Sequence, residues 1–81
     1  PIQPLWEKLY IGKGKKDKVN KIDILGFLCK KGNLSKNDVG KIDVRDYYSF
    51  AAVRRKSLKQ LMNLIQGEKI KGMKTKIEVA L

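Results

Sequence analysis

The sequence predicts an α+β fold in which strands and helices follow one another in the order β-α-β-β-α-β. Three observations predict it. Short segments alternate apolar and polar residues at the period of a strand, and two others carry apolar residues at helical spacing. Glycines and short polar residues punctuate the joins between them. With 81 residues the chain makes one small domain, and 42% apolar residues suit a folded unit with a modest core.

Residues 1–7 hold both prolines and Trp6 and read as the end of a linker, which puts the domain at 8–81. Leu9-Tyr10-Ile11-Gly12 is a first strand with Leu9 and Ile11 on one face and Tyr10 on the other. Gly12 and Gly14 end it, and a loop crowded with Lys13, Lys15, Lys16 and Lys18 follows. Asn20 and Asp23 have the spacing of a reciprocal cap, and Ile22, Leu25 and Cys29, joined by Ile24 and Leu28, predict a helix over 21–31. Gly26 inside it suggests a close approach to the sheet, and Gly32 suits a left-handed stop. Leu34 to Gly40 reads as a connection with one helical turn capped by Ser35.

Lys41 to Arg45 alternates with Ile42 and Val44 inward, and Asp46-Tyr47 makes a tight hairpin into a third strand that ends at Val53. Ser57 is placed to cap a second helix, where Leu58, Leu61, Met62 and Ile65 form a core-facing stripe that stops at Gly67. Residues 68–72 form a small hairpin arm, and Lys74 to Ala80 alternates as a last strand. This order is the split βαβ, or ferredoxin-like, arrangement: a four-stranded antiparallel sheet with two helices on one face and the other face open. Ser49, Ala51 and Val53 then point toward the helices. Tyr10, Tyr48 and Phe50 share the open side on the central pair of strands, where rings can stack on nucleic-acid bases.

Charge narrows the partner. The chain has 19 Lys and Arg against 8 Asp and Glu, a net charge of +11. That balance favours a polyanion, nucleic acid before an anionic membrane. Lys13, Lys15, Lys16 and Lys18 in the first loop, Arg45, Arg54 and Arg55 flanking the central strands, and Lys74 and Lys76 on the last strand are the candidate phosphate contacts. By alternation Lys74 and Lys76 face the open side. Cys29, the single cysteine, reads as a small buried core residue and cannot form an internal disulfide. The sequence has no histidine, no set of metal ligands and no close acid pair, so a catalytic or metal site is not expected. There is no signal peptide and no apolar run of membrane-spanning length. A chain that starts at Pro1 is expected to be part of a longer cytoplasmic protein.

Leu9-Tyr10-Ile11-Gly12 resembles the first signature of RNA-recognition motifs, and Tyr48 to Val53 resembles the second half of the other. Leu9–Asp17, Asp23–Gly26, Leu34–Asp43, Ser49–Val53 and Ile70–Lys74, taken in order, are similar to the RNA-binding domain at the C-terminus of DbpA-type bacterial DEAD-box RNA helicases. The resemblance covers nearly all of residues 8–80. It implies a non-catalytic, cytoplasmic and monomeric domain that docks structured RNA, ribosomal RNA in particular, and tethers a helicase core in cis. ATP and magnesium then belong to that core and no cofactor to this domain. The chain departs from the general motif at Asp46 and Tyr47, where a basic residue and glycine usually open the strand. An acid there repels a phosphate, which leaves both the sheet face and the basic loops open as the RNA surface. A protein–protein interaction module on the same scaffold, its aromatic face gripping a peptide or another domain, is the alternative. An acylphosphatase-like enzyme shares the fold, but this chain carries lysines in place of that enzyme's arginine in the first glycine loop, and a membrane-surface role ranks last.

Overall fold

The computed structural model describes residues 5–80. Strands β1 (Trp6–Ile11), β2 (Val39–Val44), β3 (Ser49–Arg54) and β6 (Ile77–Val79) form an antiparallel sheet in the spatial order β2-β3-β1-β6. Helices α1 (Lys21–Lys30) and α2 (Leu58–Ile65) complete the β-α-β-β-α-β order. A two-stranded arm, β4 (Lys69–Ile70) with β5 (Met73–Lys74), is inserted before β6.

The register follows from which side chains escape water. Leu9 pairs with Ala51 and Ile11 with Ser49, and all four are fully buried. Ile24, Phe27 and Leu28 of α1 and Leu61 and Ile65 of α2 close over them, with Ile42 and Ile70 at the margins. Each large aliphatic side chain buried this way contributes roughly 1.5–3 kcal/mol. Because side chains alternate along a strand, sealing the odd-numbered residues of β1 and β3 turns Tyr10 and Phe50 to the other side.

Local chemistry sets the ends of α1. The Asn20 side chain accepts from the Asp23 backbone N–H at 2.9 Å, and the Asp23 carboxylate accepts from the Asn20 N–H at 2.9 Å, so the reciprocal cap is formed. The helical turn after Leu34 is also present, as a 3-10 turn over Lys36–Asp38, held by the Asp38 carboxylate accepting from the Ser35 hydroxyl at 3.0 Å. Gly67 ends α2 with φ +79°.

Several expectations are corrected. Ile22 is 78% exposed and Cys29 half-buried, while Phe27 takes a core position. Gly26 meets nothing within 4 Å where a β-carbon would stand. The left-handed residue after α1 is Asn33, not Gly32; a β-carbon at Gly32 would overlap Leu61 and the Leu28 carbonyl oxygen, so close packing requires glycine there. Ser57 makes no side-chain cap, because a 3-10 turn over Arg55–Ser57 leads straight into α2. The last strand is broken at Thr75, whose hydroxyl donates to the Met73 carbonyl at 2.9 Å, and Lys74 therefore sits in the arm opposite Lys69. β1 begins earlier than expected: Trp6 and Glu7 pair with Arg54 and Val53. The rest of the linker reading, over Pro1 to Pro4, lies outside the described residues.

Candidate nucleic-acid interface

The open face of the sheet is built around three rings. Tyr10 and Phe50 are cross-strand partners on β1 and β3, and Tyr48 stands two residues before Phe50, just outside the strand. Their centroids lie 5.5 to 6.1 Å apart: Tyr10 and Tyr48 are stacked with 22° between planes, and Phe50 meets both edge-on. The cluster expected from alternation is therefore formed, with Tyr48 39% exposed and the other two half-buried. Rings packed edge to face hold one another in place and leave flat surface toward water.

Trp6 and Lys8 extend this row, since both share the parity of Tyr10 along β1. The Lys8 ammonium lies 5.2 Å above the Phe50 ring, and the Arg54 guanidinium lies 4.4 Å above the Trp6 ring. The indole rests across Gly40 and not over the three-ring cluster, with Ala52 beside Gly40. Between Trp6 and Phe50 a hollow of about 280 Å³ opens, rimmed by Lys8, Lys41 and Asp43. Trp6, Lys8 and Lys41 line this face, and the sequence reading does not single them out. Carrying the alternation back from Tyr10, and from Asp43 to Lys41, finds all three.

The lysine loop is a structured element. A 3-10 turn over Lys15–Asp17 docks on the β2–β3 hairpin, with the Lys15 and Lys16 N–H groups donating to the Arg45 and Asp46 carbonyls at 2.8 Å each. The fully buried Ser49 hydroxyl donates to the Lys13 carbonyl at 2.8 Å, tying the same loop to β3. A β-carbon at Gly14 would overlap the Arg45 carbonyl oxygen, so only glycine permits this docking. Lys15 and Lys16 are exposed beside the aromatic cluster's hairpin, and a hollow of about 370 Å³ lies between Lys15, Arg45, Asp46 and the Tyr47–Tyr48 turn, whereas Lys18 lies by the β4–β5 arm, its carbonyl accepting from the Lys71 ammonium at 2.8 Å. Arg45 N–H donates to the Tyr48 carbonyl at 2.8 Å, closing the tight hairpin expected at Asp46-Tyr47.

Two acids on this face are already engaged, while Asp46, in the hollow by Lys15 and Tyr48, makes no ion pair among the described residues. Asp43 pairs with Phe50 across the sheet, and its carboxylate accepts two hydrogen bonds from Arg45, at 2.9 and 3.0 Å. That hydrogen bond lowers the Asp43 pKa below its ordinary value and raises that of Arg45. Glu78, opposite Tyr10, lies 3.6 Å from the Lys76 ammonium. Lys76 is thus on the open side, beside Gly12 and Tyr10, whereas Lys74 is not in this sheet. Arg55 separates from Arg54: it pairs with Glu7 at 3.4 Å, on the parity of the buried face. The structure brings together Tyr10, Tyr48, Phe50, Arg45, Arg54, Lys76 and, through the docked loop, Lys13, Lys15 and Lys16 around one face, and leaves Lys18, Arg55 and Lys74 apart from it.

Among the described residues no group of three or more acids and cysteines could hold a metal ion, and no helix is long and apolar enough to cross a membrane.

Comparison with known proteins agrees with this geometry. A family model described as the DbpA RNA binding domain matches residues 8–79. The chain is 27% identical over 73 residues to the ATP-dependent RNA helicase DbpA of Bacillus subtilis (strain 168), a match covering 90% of this chain and 15% of that helicase. These residues thus carry the RNA-binding part of such a protein and lack a helicase's catalytic core. The chain belongs to the DbpA RNA-binding domain family.

Proposed function

We propose that this domain anchors an ATP-dependent DEAD-box RNA helicase on structured RNA, ribosomal RNA foremost, and so serves ribosome assembly in the cytoplasm. The observation that carries the reading is the three-ring cluster on an uncovered sheet, with Asp43 and Glu78 of that face bound to Arg45 and Lys76. Unpaired bases stack on Tyr10, Tyr48 and Phe50, while Lys13, Lys15 and Lys16 grip phosphates beside the hairpin and Lys18 meets them from the side of the β4–β5 arm. Arg45, Arg54 and Lys76 supply further cations at the edges, with Arg55 and Lys74 holding backbone that wraps beyond the sheet. ATP and magnesium act in the helicase core, and the domain works as a monomer, since a charge of +11 opposes its self-association.

Titration of the chain with ribosomal RNA fragments, followed by amide shifts, tests this. Shifts at Tyr10, Tyr48, Phe50 and the lysine loop are expected with a fragment that joins a helix to an unpaired loop, and weaker ones with an unrelated duplex. With about five phosphates neutralised, log K falls with log salt at a slope of roughly −3 to −4. A slope near zero, or equal affinity for any RNA of the same length, refutes the proposal.

A further inference from the structure

The helix layer carries a second concavity on the side away from the rings. Because α1 turns Ile24 and Leu28 into the core, its outer flank presents Ile22, Leu25 and Cys29 to a groove of about 640 Å³ between α1 and the β4–β5 arm. Ile22 is 78% exposed there, a large aliphatic side chain left in water. Lys30, Lys36 and Lys69 line the same groove, and none of them makes an ion pair among the described residues. The acid in the groove, Asp23, is occupied by the Asn20 cap and by Lys71 at 3.6 Å.

We propose that this groove is a docking site for an acidic amphipathic segment of a partner protein, a helix with aliphatic residues along one side and Asp or Glu on its flanks. Aliphatic side chains on the segment bury the Ile22–Leu25–Cys29 floor, and its carboxylates meet the unpaired lysines. The floor argues against RNA, because it has neither an exposed ring nor an arginine on which a base can stack. A second copy of the chain brings the same +11 charge and is repelled. The site is independent of the aromatic face, so its failure leaves the RNA reading standing.

The test uses the 81-residue chain and a fluorescein-labelled synthetic helix with leucines at i, i+3, i+4 and i+7 separated by glutamates. A peptide of the same composition with its leucines dispersed around the helix is the control. The patterned peptide is expected to bind at least roughly tenfold more tightly than the control and to shift the amides of Ile22, Leu25 and Cys29. Ile22→Glu abolishes that preference while affinity for ribosomal RNA stays unchanged. Should circular dichroism show Ile22→Glu misfolded, Lys30→Glu with Lys36→Glu carries the test on exposed positions alone. Equal binding of both peptides, shifts confined to the sheet face, or shifts at the α1 amides produced by RNA or by raising the chain's own concentration would each overturn the proposal.

Discussion

β1 and β3 present two faces made from neighbouring residues, and the two are built by different rules. On the helix side Leu9, Ile11, Ala51 and Val53 are sealed from water. On the other side Tyr10, Phe50 and Arg54 keep partial exposure and Lys8 is exposed, and the cations Lys8 and Arg54 lie over rings while Arg45 and Lys76 pair with acids. A residue of the first kind is held by volume, so its loss is felt as stability. A residue of the second kind is held by flat, polarisable surface that a base can cover, so its loss is felt as affinity. The contrast teaches where each measurement should respond.

The largest effect is expected on the sealed face. Leu28→Ala removes a fully buried side chain from between α1 and the sheet. A loss of about 2–5 kcal/mol follows, which is a large share of what a domain of this size possesses. Thermal or urea denaturation measures it, and RNA affinity below the transition stays near that of the parent. A loss under about 1 kcal/mol would mean that the helix layer is looser than the packing shows.

The open face should give the reverse result. Tyr48→Ala removes the most exposed ring of the cluster, which stands outside the strand and supports no core residue. Affinity for RNA with an unpaired loop falls by about 1–3 kcal/mol, while the melting temperature barely moves. Duplex of the same length loses much less. Equal loss for both forms would shift the binding surface to the lysine loop and leave the rings as packing.

Gly14→Ala sharpens the comparison at the junction of the two faces. The added methyl group collides with the Arg45 carbonyl, a backbone atom that cannot swing aside. Undocking the lysine loop breaks the two hydrogen bonds to the hairpin, at an expected cost of about 1–3 kcal/mol in stability. RNA affinity also falls, although no charge has been removed. An unchanged affinity would show that the loop lysines act as a mobile cloud of charge instead of a placed set.

These contrasts also explain what could be read in advance. Strand order, the central pair and the ring cluster were legible because Leu9, Ile11, Ala51 and Val53 leave one consistent register. The face of α1 was not, because Ile22, Ile24, Leu25, Phe27, Leu28 and Cys29 lie nearly all round the helix and no stripe stands out. Trp6 and Lys8 were hidden by the nearby prolines, which made the start of β1 resemble a linker. The break at Thr75 and the demands on Gly14 and Gly32 depend on which backbone segments approach each other, a long-range fact that no local pattern carries.

The smallest effect concerns the Asp43 carboxylate on the aromatic face. Hydrogen bonding from Arg45 lowers the Asp43 pKa below its ordinary 3.8, so the folded state favours the ionised carboxylate more than the unfolded chain does. The stabilisation from this pair is therefore present above the unfolded pKa and is lost as pH falls through the lower, folded one. Asp43→Asn lacks the titration. The stability gap between the parent chain and the variant should hold steady above about pH 5 and close below pH 4. Because the pair is exposed, the gap is small, but RNA binding reads the same contact with opposite sign. Releasing Arg45 and removing a carboxylate from the rim beside Phe50 raises affinity for a phosphate backbone at low salt, and the gain fades at high salt. A variant with unchanged affinity at low salt would show that RNA passes over the rings without reaching the β2 edge, and would restrict the interface to β1, β3 and the lysine loop.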